Sequence, residues 1–259
     1  MGASDAPYIG TRNPMFRKIT LPSASVRAGD ADIMTLDGAI NRAAFLLFCV
    51  IAVALWIWAK YTTLNRHSLT IGLLICLVVA PVLSWVTVWK KHWSPITAPA
   101  YALLEGFLIG VVSAGVEARH PGIVIQAVAV TFLTCFCILA AYRSGLIRVT
   151  ERFNMGLVAA TMGVSVLYLA VPVLNLFFHV RIFSVFGGGV LGILISAAVA
   201  ALAGLSLVAD ANFIDQCARS GLPKYMEWYT AFAFVVTLVW LYIQVLDALS
   251  KARKAEGKA

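Results

Sequence analysis

The sequence predicts an all-α fold, a polytopic membrane bundle of seven transmembrane helices, and three observations predict it. Hydrophobic residues make up 61% of the 259-residue chain and charged residues only 12%, about half the charge of an ordinary soluble domain. Seven apolar runs are each long enough, at about 20 residues, to cross the hydrocarbon core as a helix. The charges, +8 in sum, gather between those runs and at the chain ends. That pattern suits loops beside anionic headgroups and not a nucleic-acid surface.

Residues 1–36 read as a polar, mobile tail rich in Gly, Ser and Asp. They lack the short apolar core of a cleaved signal peptide, so the first run, 40–59, acts as an uncleaved insertion signal and ends at Lys60. The second run, 70–89, follows Arg66 and stops at Lys90 and Lys91. Pro81 falls inside it, where neighbouring groups can satisfy the freed carbonyl. The third, 98–117, closes on Glu117, and the fourth, 121–142, opens on Pro121 and Gly122 and closes on Arg143. The fifth, 155–178, follows Glu151 and Arg152 and contains Pro172. The sixth, 185–209, ends at Asp210, and the seventh, 227–249, starts at Glu227. Residues 37–250 thus form one transmembrane domain, followed by a basic tail at 251–259.

Lys and Arg near helix ends set orientation. With the N-terminus in the cytoplasm, Arg12, Arg17, Lys18, Arg27, Lys90, Lys91, Arg143, Arg148, Arg152, Arg219 and Lys224 fall inside, against Lys60, Arg66, Arg119 and Arg181 outside. Seven crossings leave Lys251, Arg253, Lys254 and Lys258 outside, against the bias; the alternative is a last segment that re-enters and keeps the tail inside. The expected location is the bacterial plasma (inner) membrane.

Two runs carry a small residue at every fourth position: Ala98, Ala102, Gly106, Gly110 and Ala114 in the third, and Gly188, Gly192, Ser196, Ala200 and Gly204 in the sixth. Such rows let helix backbones approach closely in lipid, so these faces belong at the centre of the bundle. The five cysteines show no zinc-site spacing. Cys135 and Cys137 point apart on a helix, so packing is their expected role.

Five acidic residues lie in or at the ends of runs: Glu105, Glu117, Asp210, Glu227 and Asp247. A charge at mid-bilayer costs roughly 2.5–3.5 kcal/mol on insertion scales and marks an ion path or a paired network. Glu105, in Ala100–Gly110 "AYALLEGFLIG", sits seven residues into its run, about 10 Å along the axis. It is the only residue of that stretch unsuited to hydrocarbon. Asp210 ends the sixth run and Glu227 begins the seventh, toward the same side, so three carboxyls are expected to converge at one level. The seventh run also carries a polar stripe, Glu227, Thr230, Thr237 and Gln244, which either lines a polar path or bonds to neighbouring helices. Catalysis has little support: no H-E-x-x-H or G-x-S-x-G is present, and all four histidines lie in loops or at run ends. A two-aspartate membrane protease needs a second Asp at Asp210's depth, and none is present. No enzyme activity and no cofactor are expected.

Several stretches together resemble the Bax inhibitor-like family of membrane proteins (the transmembrane Bax-inhibitor-motif proteins, with the bacterial YccA-type members). They are "NPMFRK" in the tail, "AYALLEGFLIG", "HPGIVIQAVAVTF" before and into the fourth run, "LSLVADANFIDQ" and "MEWYTAFAFVVTLVWLYIQVL", in the family's order over about residues 12–250. The resemblance implies a seven-helix bundle with the last helix central and ringed by the others. It implies a calcium leak regulated by pH through one aspartate on each of the sixth and seventh helices, with roles in stress response and, in bacteria, an effect on a membrane-bound protease. The sixth-helix aspartate matches Asp210; Thr237 stands where the second would be, which departs from the two-aspartate latch. The expected function is a cation leak or regulator of ion homeostasis, for calcium or protons, with Asp210, Glu105, Glu227 and Thr237 as ion-path or pH-sensing residues. The alternative is a non-transporting protein that binds and modulates a membrane protease.

Overall fold

The structure, a computed structural model, describes residues 33–147, 149–178 and 189–256. Among the described residues seven α-helices follow one another: α1 Leu36–Lys60, α2 Arg66–Trp89, α3 Ser94–Glu117, α4 Ile123–Arg143, α5 Glu151–Phe178, α6 Gly189–Arg219 and α7 Met226–Glu256, with a 3₁₀ turn at Lys91–Trp93 before α3. Six of them, all but α5, are long and apolar enough among the described residues to cross a membrane. Most of the expected tail lies outside the described residues, as do Gly188 of the sixth small-residue row and Arg181 of the expected outer loop.

The helix ends have local causes. Thr35 caps α1, its Oγ1 accepting from Gly38 N at 3.0 Å, and Asn65 Oδ1 accepts from His67 N at the start of α2. Both satisfy an amide that a helix leaves unpaired in its first turn. Gly122, in the left-handed region at φ 84°, turns the chain into α4. There Glu117 caps the next helix across the turn: its Oε1 accepts from Gly122 N at 2.6 Å and its Oε2 from Val124 N at 3.1 Å. Glu117 is a helix-end acceptor, as its place at the run's edge suggests.

Two helices run further than the apolar sequence does. α6 does not stop at Asp210 but continues for nine residues to Arg219. Its polar last turns are held by an Asp215–Arg219 pair at 3.3 Å, one helical turn apart, and by Ile214 and Cys217, which bury against Met34, Leu222 and Tyr229. α7 continues to Glu256, where Lys251 Nζ reaches Asp247 Oδ2 at 2.6 Å. Hydropathy marks where apolar side chains end; a helix goes on wherever later side chains find partners.

α7 packs against α1, α3, α4 and α6, while α2 packs on α3 and α5 on α6. One face of α7, with Phe232, Val235 and Val239, meets Leu46 and Val50 of α1 and Tyr101, Ala102 and Ile109 of α3. The adjoining face, with Leu238, Leu241 and Val245, meets Ile123, Val124 and Ala127 of α4 and Ala203 and Leu207 of α6. Tyr168 of α5 donates to Gln244 Oε1 at 3.2 Å. The central last helix is therefore observed, though ringed most closely by four neighbours.

The small-residue row of α3 is buried from Ala98 to Ala114. It lies on α1: a Cβ added at Gly106 would come 2.6 Å from Val50 O, and one at Gly110 would come 2.9 Å from Ala54 O. The row of α6 divides its contacts, Gly204 facing Ile138 of α4 and Ser196 bonding to Asp247 of α7. All five cysteines are free thiols; Cys135 is buried and Cys137 exposed, as their spacing requires.

Candidate functional site

Asp210 sits about two and a half turns before the end of α6, after the fully buried Leu207 and Val208. Its Oδ2 is buried and accepts no hydrogen bond. Across the α6–α7 seam its carboxyl faces the Thr237 hydroxyl, which also donates to Ala233 O on its own helix at 3.2 Å. Tyr229, about two helical turns nearer the start of α7, lies within electrostatic reach of Asp210. Lys91 Nζ stands over the Tyr229 ring at 5.1 Å. The ion pairs among the described residues are Arg42–Glu227, Arg219–Asp215 and Lys251–Asp247; none includes Asp210. A buried acceptor oxygen without a donor costs about 1–3 kcal/mol, and such an atom calls for a proton, a cation or a water.

Glu227 has a different environment. It is 1% exposed and is drawn into the N-terminus of α1. Its Oε1 accepts from both the N–H and the hydroxyl of Thr35, each at 3.1 Å, and its Oε2 lies 4.0 Å from Arg42 Nε. Arg42 in turn lies over the Trp228 ring at 4.7 Å. Gly38 leaves the space the carboxyl fills: a Cβ there would overlap Glu227. A carboxylate at a helix N-terminus is stabilised by free amides and the helix dipole together. Glu227 thus fastens α7 to α1.

Glu105 is 8% exposed and faces the Tyr101 hydroxyl one turn earlier on α3, with Cys76 of α2 close by. Tyr101 meets Phe232 of α7 edge-on, ring centroids 5.0 Å apart. Phe232 and Thr237 project about 140° apart on α7 at 100° per residue. Glu105 and Asp210 therefore stand on different sides of the central helix.

The structure brings Asp210 and Thr237 together, and it surrounds Glu105 and Glu227 with separate partners. The polar stripe of α7 is largely used up in hydrogen bonds. Thr230 donates to Met226 O at 2.9 Å, Gln244 accepts from Tyr168 and Glu227 holds α1. Near the far end of α7, Asp247 Oδ2 accepts from Ser196 Oγ at 2.8 Å and from Lys251, while Lys251 Nζ also donates to Ser196 Oγ at 2.7 Å.

Tyr101 was within reach of sequence reasoning, since residues four apart share a helix face. Thr35 and Gly38 were not, because their partner Glu227 lies 192 positions from Thr35. Among the described residues no three His, Cys, Asp or Glu side chains are placed to hold a metal ion together. A calcium ion takes 6–8 oxygen ligands, so the single carboxylate at Asp210 suits a proton or a cation in passage.

A family model described as Bax inhibitor 1 like matches residues 13–254 of the chain. No curated protein matches it, and no solved structure does.

Proposed function

The chain belongs to the Bax inhibitor 1 like family, and from that premise we propose that it is a membrane cation leak, or a regulator of one, in which Asp210 receives the cation or proton. The observation that carries this reading is the buried, unbonded Oδ2 of Asp210 across the seam from Thr237. Glu227 and Asp247, by contrast, already accept from donors on neighbouring helices or turns, Thr35 for the first and Ser196 and Lys251 for the second. Glu105, on the other side of α7, is the second candidate; Glu227 supports the fold, and Thr237 orients Asp210. The cargo is calcium or protons, and the membrane is the bacterial inner membrane.

The test is flux of calcium and of protons into liposomes holding the purified chain. Asp210→Asn is expected to cut flux roughly tenfold, equivalent to about 1.4 kcal/mol, with the thermal unfolding midpoint kept. Thr237→Asp places two carboxyls side by side. Such a pair titrates in coupled steps, so flux should depend on pH more steeply than in the wild type. Flux lost in Glu105→Gln and kept in Asp210→Asn would move the path to the α3 side. A folded wild type that passes neither ion would leave the non-transporting, protease-modulating role.

In the proposed topology all seven helices cross and the N-terminus is cytoplasmic. Single cysteines placed in a cysteine-free chain should label from the cytoplasm at Lys90 and Ser220, and from outside at Thr63 and Arg119. Labelling of Lys254 from the cytoplasm, with those four unchanged, would contradict seven crossings.

A further inference from the structure

α1 and α4 both pack on α3 and α7, and between them lies a crevice of about 210 Å³. Its α1 wall extends from Leu47 to Trp58, about 16 Å along the axis. Half of a hydrocarbon core about 30 Å thick is about 15 Å, so the crevice is as deep as one leaflet. The flanking residues face outward, Leu55 57% and Phe132 45% exposed.

The hydroxyls along the crevice are already bonded. Ser113 Oγ and Tyr242 OH pair with each other at 2.7 Å, and Thr131 Oγ donates to Ala127 O at 2.7 Å. Water needs polar partners to be held in such a place, and an empty void forfeits dispersion contacts. The occupant is therefore hydrocarbon. At one end Trp58 lies two residues before Lys60, the last residue of α1. An indole there sits at headgroup level, so the crevice starts where a lipid's glycerol would lie and runs toward the bilayer midplane.

We infer that the crevice between α1 and α4 is a binding site for one acyl chain of a membrane phospholipid, with its carbonyl end at Trp58 and its methyl end toward Leu47. The site is independent of the cation reading, since Asp210 lies on the α6 side of α7.

Trp56 supplies a control on the same helix: it is 59% exposed and lies outside the crevice lining. The probe is phosphatidylcholine brominated near the carbonyl end of one chain, titrated into liposomes of unbrominated lipid. The emission of each tryptophan is taken as the difference between wild type and Trp58→Phe or Trp56→Phe. Trp58 should be quenched at a roughly tenfold lower brominated fraction than Trp56, as a site of higher affinity requires. Ala54→Phe and Val128→Phe, which fill the crevice from two helices, should each bring Trp58 to the behaviour of Trp56. Native mass spectrometry in mild detergent should find a phospholipid on the wild type and lose it in both variants. Equal titration of Trp58 and Trp56 in the wild type would overturn the inference. So would a bound lipid that survives in whichever variants fold, or a Trp58 that no bromolipid reaches in a chain running as a dimer, which would give the crevice to a second copy.

Discussion

Gly38→Ala is expected to destabilise the protein by about 1–3 kcal/mol, the cost of leaving a buried carboxyl without its hydrogen bonds. Helix propensity alone argues the other way, since alanine inside a helix is favoured over glycine by roughly 0.5–1 kcal/mol. The deciding fact is the space. An added Cβ would overlap the Glu227 carboxyl and lie 2.6 Å from its Oε2. Glu227, itself 1% exposed, would have to leave its two bonds to Thr35 and its approach to Arg42. A double variant separates the two effects. Glu227→Ala should be destabilising by itself, but on that background Gly38→Ala should cost nothing or stabilise slightly, the non-additivity expected of residues in contact. Thermal unfolding in detergent measures all four corners of the cycle. A higher midpoint for Gly38→Ala in the wild-type background would mean that the carboxyl does not occupy this space.

The second large effect is expected along the α1–α3 seam. Gly106→Ala should cost about 1–3 kcal/mol, and a larger side chain more, as overpacking does. An added Cβ at Gly106 would be 2.6 Å from Val50 O and 3.1 Å from Val50 Cα. At Gly110 it would be 2.9 Å from Ala54 O and 3.0 Å from Ala54 Cα. Those neighbours are backbone, which cannot rotate away as a side chain can, so the two helices must separate along the seam. In lipid, close helix packing is itself the main attraction, and separation weakens every contact along the row. Gly156→Ala and Gly163→Ala on α5, where an added Cβ meets nothing within 4 Å, should be neutral or slightly stabilising in the same assay. If they destabilise as much as Gly106→Ala, close approach is not what Gly106 provides.

Much of this architecture was legible in the sequence because lipid imposes few solutions. An apolar run of about 20 residues has to be helical, and a small residue every fourth position has to face another helix. Ala98–Ala114 does both. The ends were less legible. Residues 210–219 read as polar, yet α6 passes through them because Ile214 and Cys217 find Tyr229 across the next turn and Met34 from the far end of the sequence. That extension moves Asp210 from a helix end into a seam. The expected meeting of Glu105, Asp210 and Glu227 fails for a related reason. Depth along an axis can be counted from sequence, but the side of α7 from which each carboxyl approaches depends on packing. Asp210 and Thr237 could be paired because the family resemblance supplied the register between their helices, which the residues themselves do not carry.

The clasp at the start of α1 has a consequence for how the protein is made. Its two halves, Thr35 and Glu227, are 192 positions apart, and a ribosome adding about 5–20 residues per second needs roughly 10–40 s to go from one to the other. Through that interval α1 is already synthesised while its first turn lacks Glu227, and Met34 N lacks Leu222 O, the acceptor it bonds at 2.8 Å in the finished protein. The first turn of the first helix to be made is therefore secured only at the end. Until α7 arrives, α1 is held by its own apolar length and by α3, and its N-terminal turn lacks the clasp.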